Sequence, residues 1–302
     1  MCLLVMAYGV KPSYPLIVAA NRDEFFRRQT SAADFWADQP HVLAGRDLEQ
    51  NGTWMGVTKN GRFAALTNVR DPKSMQSSAK SRGLIVSDFL AGSAAPENFI
   101  DNLKDRRSQY NGFNLIVSDG SSLCYFNSVS AQSEALRPGI YGLSNHQLDT
   151  AWPKVTRSKA ALELALPENQ QELETKLFAS LADRTIAADS ALPDTGVGLD
   201  KERWLSPVFI SGQEYGTRAS TVLMVGVSQT LFVERSFDST GEVTQTRRFS
   251  LCNAQPPAAW IRAGGWGAGL RPPKATSGHR RQQRMRRMIG IETRDRFNRG
   301  AG

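Results

Sequence analysis

The chain has few of the residues that build metal centres or disulfide frameworks. It holds three cysteines and three histidines among 302 residues: Cys2, Cys124, Cys252, His41, His146 and His279. The cysteines form no CxxC or CxxCH motif, and their odd number and wide spacing argue against a disulfide framework. No apolar run is long enough to span a bilayer, and the N-terminal segment lacks the basic and apolar regions of a secretory signal. We therefore expect a cytoplasmic protein without a transmembrane segment.

Positive charge is concentrated near the C-terminal end. The formal net charge is +8, but residues 252–302 hold eleven Lys and Arg against two acidic residues, which leaves residues 1–251 at −1. We predict a main domain over residues 1–251 and a basic, disordered tail over residues 252–302. The main domain shows no nucleic-acid footprint, so we expect a small-molecule ligand and no nucleic acid as its partner. The oligomeric state is not predictable from the sequence.

The order of predicted elements indicates an α+β fold. Apolar runs predict strands, and the Lys59-Asn60-Gly61 segment between two of them predicts a hairpin turn. The predicted strands cover residues 3–8, 16–20, 42–45, 53–57, 62–67, 113–117, 123–126, 139–143, 208–210, 221–225 and 230–233. Helical spacing predicts helices over 83–90, 96–103, 153–164 and 170–181, and residues 183–203 are typical of a loop. This order favours helices on the outer faces of stacked antiparallel sheets.

Cys2 is the first candidate for a functional residue. It begins an apolar, strand-like run, so it is either a small residue starting a strand or a nucleophile. Removal of Met1 would give Cys2 a free α-amine, with a pKa of roughly 7.7–8, beside its thiol. Such an amine can activate its own side chain, as in enzymes with an N-terminal threonine.

The charged segment Asn21-Arg22-Asp23-Glu24 follows the second apolar run directly. A solvated loop is one interpretation of it. If the first two strands form a hairpin, however, Arg22 and Asp23 approach Cys2. An arginine there stabilises a thiolate, and a carboxylate can orient the α-amine and hold a proton. The segment therefore predicts a charged pair that tunes both halves of the nucleophile.

Several separated motifs run in order through residues 1–251. They are MC at 1–2, AANRDEF at 19–25, GTWMG at 52–56, ALTN at 65–68, YNGFNLI at 110–116, YGLSN at 141–145 and YGTRAST at 215–221. In these motifs the chain resembles the NRDE family, also called the transport-and-Golgi-organisation family. The resemblance implies an N-terminal-nucleophile (Ntn) hydrolase fold, a four-layer αββα sandwich of two antiparallel sheets between helical layers. Within that superfamily the chain is most similar to choloylglycine hydrolase and penicillin V acylase.

The resemblance also implies site residues. It makes Cys2 the nucleophile, Arg22 and Asp23 its tuning pair, Asn68 and Asn145 oxyanion donors, and Arg218 a second arginine near the thiol. The asparagines could instead close turns, and Arg218 could be a structural ion-pair partner. One departure matters, because the choloylglycine pattern reads Arg-x-x-Asp and here the two residues are adjacent. Neighbours on a strand face opposite sides, so both reach Cys2 only if the strand ends or bulges there.

Two functions remain open on this scaffold. The resemblance favours intracellular handling and trafficking of haem or another hydrophobic ligand, with Cys2 and His146 as the candidate haem ligands. The alternative is an amide hydrolase or acyl-transfer enzyme that acts on C–N amide bonds through Cys2 and requires no cofactor. The fold alone does not decide between them.

Overall fold

The computed structural model describes residues 2–253. Within this part the chain forms thirteen strands: β1 Cys2–Tyr8, β2 Leu16–Phe25, β3 Thr30–Phe35, β4 Val42–Asp47, β5 Met55–Thr58, β6 Phe63–Asn68, β7 Phe113–Ser118, β8 Leu123–Asn127, β9 Ser133–Ala135, β10 Gly139–Leu143, β11 Tyr215–Val225, β12 Gln229–Phe237 and β13 Val243–Cys252. The α-helices are α1 Gly83–Ala91, α2 Pro96–Lys104, α3 Pro153–Ala165, α4 Gln170–Leu181 and α5 Leu199–Leu205. Short 3-10 helices lie at Pro72–Ser74, Arg107–Gln109 and Asp189–Ala191.

The strands form two antiparallel sheets. The first sheet has six strands in the order β10-β1-β2-β11-β12-β13, and the second has seven in the order β3-β4-β5-β6-β7-β8-β9. The second sheet is a meander, whereas the first brings β1 and β2 together with strands from the far end of the domain. A candidate site at the start of β1 is therefore assembled from segments far apart in sequence.

Three apolar cores separate four layers. Alternation along each strand sends one set of side chains between the sheets and the other set toward helices. In β2, for example, Leu16 and Val18 lie between the sheets, whereas Ile17 and Ala19 pack on the layer of α3 and α4. The outer face of the second sheet packs on α1 and α2. The α+β class and the αββα layering predicted from the sequence are confirmed.

A buried carboxylate bridges the two sheets. Glu234 on β12 accepts a hydrogen bond of 2.6 Å from the backbone N–H of Ala33 on β3 and one of 3.5 Å from the Thr221 hydroxyl. Its side chain is almost fully buried. Burial raises the pKa of Glu234 to about 7, against the Ala33 hydrogen bond and the positive charge of Arg22, both of which lower it. No sequence pattern singled out this residue.

Some predicted elements differ from the structure. Residues 208–210 are buried but do not form a strand, so that prediction is wrong. Their backbone groups form hydrogen bonds with Asp183 and Thr217 and do not pair with a neighbouring strand. The segment 183–203 is mostly loop, but it contains a 3-10 helix and the start of α5. Strands β3, β9 and β13 were not predicted. The predicted tail lies outside the described residues, apart from its first two positions.

Candidate active site

Cys2 lies at the edge of a cavity of about 320 Å³. Because Leu4 and Met6 face the space between the sheets, alternation along β1 turns the Cys2 side chain to the same side. In the β1–β2 hairpin Cys2 pairs with Arg22, and the Cys2 backbone oxygen accepts a hydrogen bond of 3.2 Å from the Ser144 hydroxyl. The backbone of the half-buried Cys2 is therefore held by the segments on both sides of β1.

Arg22 shares the face of the thiol. Its guanidinium lies 4.1 Å from the centre of the Trp54 ring and 3.8 Å from a carboxylate oxygen of Glu24. Trp54 reaches this position because Gly45 has no side chain: a Cβ at that position would lie 2.3 Å from the tryptophan ring. The second sheet thus supplies the ring on which the arginine of the first sheet rests.

Asp23 faces the opposite side of the sheet, toward the helices. Its carboxylate accepts a hydrogen bond of 2.7 Å from the Thr217 hydroxyl, and its backbone oxygen accepts one of 3.2 Å from Tyr215. Arg22 and Asp23 nevertheless both line the cavity with Cys2, because the site lies where β1 begins. The strand β2 continues through this point, and the irregularity is in its neighbour β11, at Arg218.

The electrostatics of Cys2 reflect these surroundings. Burial raises the pKa of the Cys2 thiol, and the negative charge of Asp23 acts in the same direction. The positive charge of Arg22 and a hydrogen bond from the Asp23 backbone lower it. Because the effect of burial on the pKa is larger than these two lowering effects, the thiol holds its proton at neutral pH unless a base removes it.

A buried lysine, Lys154, affects the ionisation of Asp23. Burial raises the pKa of Asp23, whereas the positive charge of Lys154 on α3 lowers it. Lys154 is itself buried, which lowers the pKa of its ammonium group to about 8, and it donates a hydrogen bond of 3.0 Å to the Leu205 backbone oxygen. Lys154 was not predicted, because a single lysine near the start of an amphipathic helix carries no recognisable signal.

The two candidate asparagines have different positions. Asn68, at the end of β6, lines the cavity with Cys2. Asn145 is fully buried, is not among the residues lining the cavity, and donates a hydrogen bond of 2.9 Å to the backbone oxygen of Asn68. The structure therefore places one amide in the cavity and the other beneath it, as a support for the first.

Arg218 is not brought into the cavity. Its guanidinium donates hydrogen bonds to the backbone oxygens of Phe25, at 3.2 Å, and of Arg28. It also lies 5.5 Å from the centre of the Phe26 ring. Arg218 thus holds the turn after β2, and that turn carries Arg28 into the cavity lining.

The second candidate haem ligand, His146, does not line the cavity of the first, Cys2. His146 is exposed, its ring shares a hydrogen bond of 3.0 Å with the Thr150 hydroxyl, and it is not among the residues that line the Cys2 cavity. Residues 2–253 contain no group of three His, Cys, Asp or Glu side chains arranged to hold a metal ion. Across the same residues no helix has both the length and the apolar character to cross a membrane.

Three basic residues in the lining were not predicted. Arg28, Lys80 and Arg82 line the cavity together with Cys2. Lys80 and Arg82 precede α1, which packs on the second sheet, so only the stacking of the two sheets brings them to the start of β1. A helix that begins after two basic residues is common, and no signal in the sequence could link it to Cys2.

Comparison with known proteins identifies the family. The sequence profile described as "Transport and Golgi organisation 2" matches residues 1–239. The chain belongs to this family. The Transport and Golgi organization protein 2 homolog of Bos taurus is 34% identical over 83% of this chain and 99% of its own length. The human homolog is 33% identical over the same shares, and an uncharacterised protein of Saccharomyces cerevisiae is 28% identical over 83% of this chain and 96% of its own.

The family predicted from the motifs is therefore confirmed. Two solved structures are also similar to this chain. A mutant conjugated bile acid hydrolase from Clostridium perfringens has a TM-score of 0.44 at 9% identity and covers 83% of this chain and 92% of its own. An N-acylethanolamine-hydrolyzing acid amidase ortholog from Caenorhabditis elegans has a TM-score of 0.43 at 10% identity and covers 74% and 92%. Nothing about the chemistry of this chain follows from them.

Proposed function

We propose that this member of the Transport and Golgi organisation 2 family is an N-terminal-cysteine amide hydrolase or acyl-transfer enzyme. One observation carries the proposal: Cys2, Arg22, Asp23 and Asn68 all line one cavity of about 320 Å³. A thiol with an arginine on its own face and a carboxylate on the other is suited to an activated nucleophile. The cavity is also at the lower end of the volume of typical small-molecule sites.

The acylation step requires processing that exposes the α-amine of Cys2. That amine, with an ordinary pKa of roughly 7.7–8, accepts the thiol proton. The sulfur then attacks the amide carbonyl carbon, the S–C bond forms, the C–N bond breaks, and the proton passes to the leaving amine. Arg22 stabilises the thiolate, while Asp23 holds the amine in place. Asn68 is the candidate donor to the oxyanion, an interaction worth about 3–4 kcal/mol where it has been measured.

Deacylation restores the enzyme. Water attacks the thioester, its oxygen forms the new bond to the acyl carbon, and the S–C bond breaks. The acyl group leaves as a carboxylic acid and the remaining proton returns to the sulfur. In acyl transfer another nucleophile replaces the water. A reducing compartment keeps a free thiol from oxidation, so the prediction of a cytoplasmic location is part of this proposal.

Handling of haem or another hydrophobic ligand is the other function that the resemblance implies, and it stays a prediction. Seven of the residues lining the cavity are charged: Arg22, Asp23, Glu24, Arg28, Asp47, Lys80 and Arg82. A lining of this kind is better suited to a polar substrate than to an apolar cargo, because burying charges against an apolar ligand is unfavourable. The charge of the lining therefore supports a polar amide substrate over an apolar cargo.

Acyl capture by Cys2 tests the proposal. Protein with a free Cys2 α-amine, verified by intact mass, is mixed with short N-acyl amides. We expect amine release and a transient mass increase equal to the acyl group, located on Cys2 by peptide mapping. Cys2→Ala and Cys2→Ser should lose both signals. The matched control is Cys252→Ser, which changes an exposed cysteine at the end of β13 and should keep both.

Two results would contradict the proposal. One is turnover that survives Cys2→Ala, and the other is the absence of both amine release and an acyl adduct in processed protein across the amide panel. Haem titration of the same proteins, followed by absorbance, tests the carrier function. Stoichiometric haem binding that is unchanged in Cys2→Ala, without amide turnover, would favour carriage instead.

A further inference from the structure

The cavity wall opposite the hairpin is basic. Arg82 immediately precedes α1, and Lys80 lies two residues before it. Arg82 donates a hydrogen bond of 3.1 Å to the backbone oxygen of Gly112, and Lys80 donates one of 2.8 Å to the side chain of Gln109. Within residues 2–253 neither side chain forms a salt bridge with a carboxylate. Both acceptors are neutral groups, so no carboxylate of the described chain lies within salt-bridge distance to compensate the positive charge on this wall.

The other cations of the cavity have acidic partners. Arg28 lies 2.6 Å from a carboxylate oxygen of Asp47 and 3.4 Å from one of Glu49. Arg22 pairs with Glu24 at 3.8 Å. The imbalance is therefore local to Lys80 and Arg82, and it does not arise from a generally basic cavity.

The start of α1 adds to this charge. The first turn of the nine-residue helix contains no acidic residue, and no side chain caps its N-terminus. The partial positive charge of a helix N-terminus therefore adds to that of Arg82 and Lys80 on the same wall. Burial lowers the pKa of Arg82, and a thiolate at Cys2 and the charge of Glu24 favour its charged form. An uncompensated guanidinium that is partly removed from water gains most when an anion binds it.

We infer that the substrate carries an anionic group, a carboxylate or a phosphate, that Arg82 binds directly while Lys80 adds a second positive charge. This inference rests on the proposed function, because it places the anion in the same cavity as the scissile amide at Cys2. A guanidinium donates through several N–H groups and suits both kinds of anion. The substrate class is thus a small acyl amide with an acidic group, such as an N-acyl amino acid or an N-acyl phosphoethanolamine.

Three substrates with one acyl group test the inference. N-butanoylglycine carries a carboxylate, N-butanoyl phosphoethanolamine carries a phosphate, and N-butanoylpropylamine is neutral. We expect one anionic substrate to exceed the neutral one in kcat/KM by about tenfold to a hundredfold, the usual effect of one hydrogen bond to a charged group. The anion that gains more identifies the natural acidic group.

Substitutions then test whether Arg82 and Lys80 cause the preference for anionic substrates. Arg82→Gln should lower kcat/KM at least tenfold more for the preferred anionic substrate than for the neutral one, mainly through KM, whereas Arg82→Lys should restore part of this preference. Lys80→Gln should reduce it less, and this exposed position gives a second variant if Arg82→Gln does not fold. The control is Arg137→Gln, an exposed arginine outside the cavity lining, which should keep the full preference. Equal rates for anionic and neutral substrates, or an equal loss for both in Arg82→Gln, would overturn the inference.

Binding separates this inference from the hydrolase proposal. Calorimetry with the Cys2→Ala protein measures the affinity for N-butanoylglycine and for N-butanoyl phosphoethanolamine without turnover. Binding that weakens at least tenfold when Arg82→Gln is added supports the anion site, even if the wild-type protein turns over no amide. If the protein turns over amides but its preference for anionic substrates does not depend on Arg82, the hydrolase proposal stands and the anion site is rejected.

Discussion

Replacement of Glu234 by glutamine changes the charge of one buried side chain with little change in shape. The carboxylate accepts hydrogen bonds from the Ala33 N–H and the Thr221 hydroxyl. In glutamine the amide oxygen can still accept from Ala33, and the amide nitrogen can donate to the oxygen of Thr221. The substitution therefore isolates the cost of an ionised carboxylate between the two sheets.

The size of this cost follows from the pKa. Burial raises the pKa of Glu234 from 4.5 to about 7, so the folded protein binds the proton more tightly than the unfolded chain. Stability from this group is fully present below pH 4.5, declines as the pH rises toward 7, and is lost above it. At roughly 1.4 kcal/mol per pH unit, ionisation costs the folded state about 3 kcal/mol. We expect Glu234→Gln to be more stable than wild type by about 1 kcal/mol at pH 5 and by about 3 kcal/mol at pH 8.

Urea unfolding of both proteins at pH 5, 6, 7 and 8 measures this difference. Other groups titrate in the same range, but they are common to both proteins and cancel in the comparison. Glu134→Gln, at an exposed position on β9, is the matched control and should follow the wild-type curve. A stability difference between Glu234→Gln and wild type that stays constant from pH 5 to pH 8 would refute the reasoning.

Two further predictions concern the site. Arg22→Gln removes a positive charge that lowers the pKa of the Cys2 thiol, so it should raise that pKa and slow alkylation of Cys2 by iodoacetamide at pH 8. Exposed Cys252 is the internal control in peptide mapping, and an unchanged rate at Cys2 would contradict the role assigned to Arg22. Gly45→Ala places a Cβ 2.3 Å from the Trp54 ring and should cost about 1–3 kcal/mol in urea unfolding. Its tryptophan emission should shift with the ring, whereas wild-type stability in this variant would show that the close approach is unimportant.

Local signals explain most of the elements that the sequence predicted. The Asn60-Gly61 turn joins β5 and β6, and Gly61 has the positive φ of 81° that favours glycine. Pro153 lies in the first turn of α3, as its fixed φ favours. Strand β13 was missed because most of its side chains are exposed and its pattern is polar. Such edge strands are defined by the neighbour with which they pair, and local sequence does not reveal that neighbour.

Only the part of the site that lies on the β1–β2 hairpin could be predicted from the sequence. The β1–β2 register places Cys2 opposite Arg22, and this pairing depends on residues close in sequence. Arg82 immediately precedes α1 and Lys154 lies on α3, on opposite sides of the sandwich, and layer stacking alone relates them to Cys2. Arg218 was associated with the site by its motif, yet the extra residue in β11 turns it toward the loop after β2. Distances across layers are the information that a single sequence does not contain.

Because Arg22 and Asp23 are adjacent on β2, both the apolar core and the surroundings of the Cys2 sulfur depend on the same β1–β2 register. If β2 slipped by one residue against β1, the carboxylate would move to the face of the sulfur and the guanidinium would enter the helical layer. The same slip would turn Ile17 and Ala19 into the space between the sheets and expel Leu16 from it. A misaligned hairpin would therefore lose its apolar core and its nucleophile together. A stable protein with the carboxylate in place of the guanidinium beside the sulfur is therefore not expected.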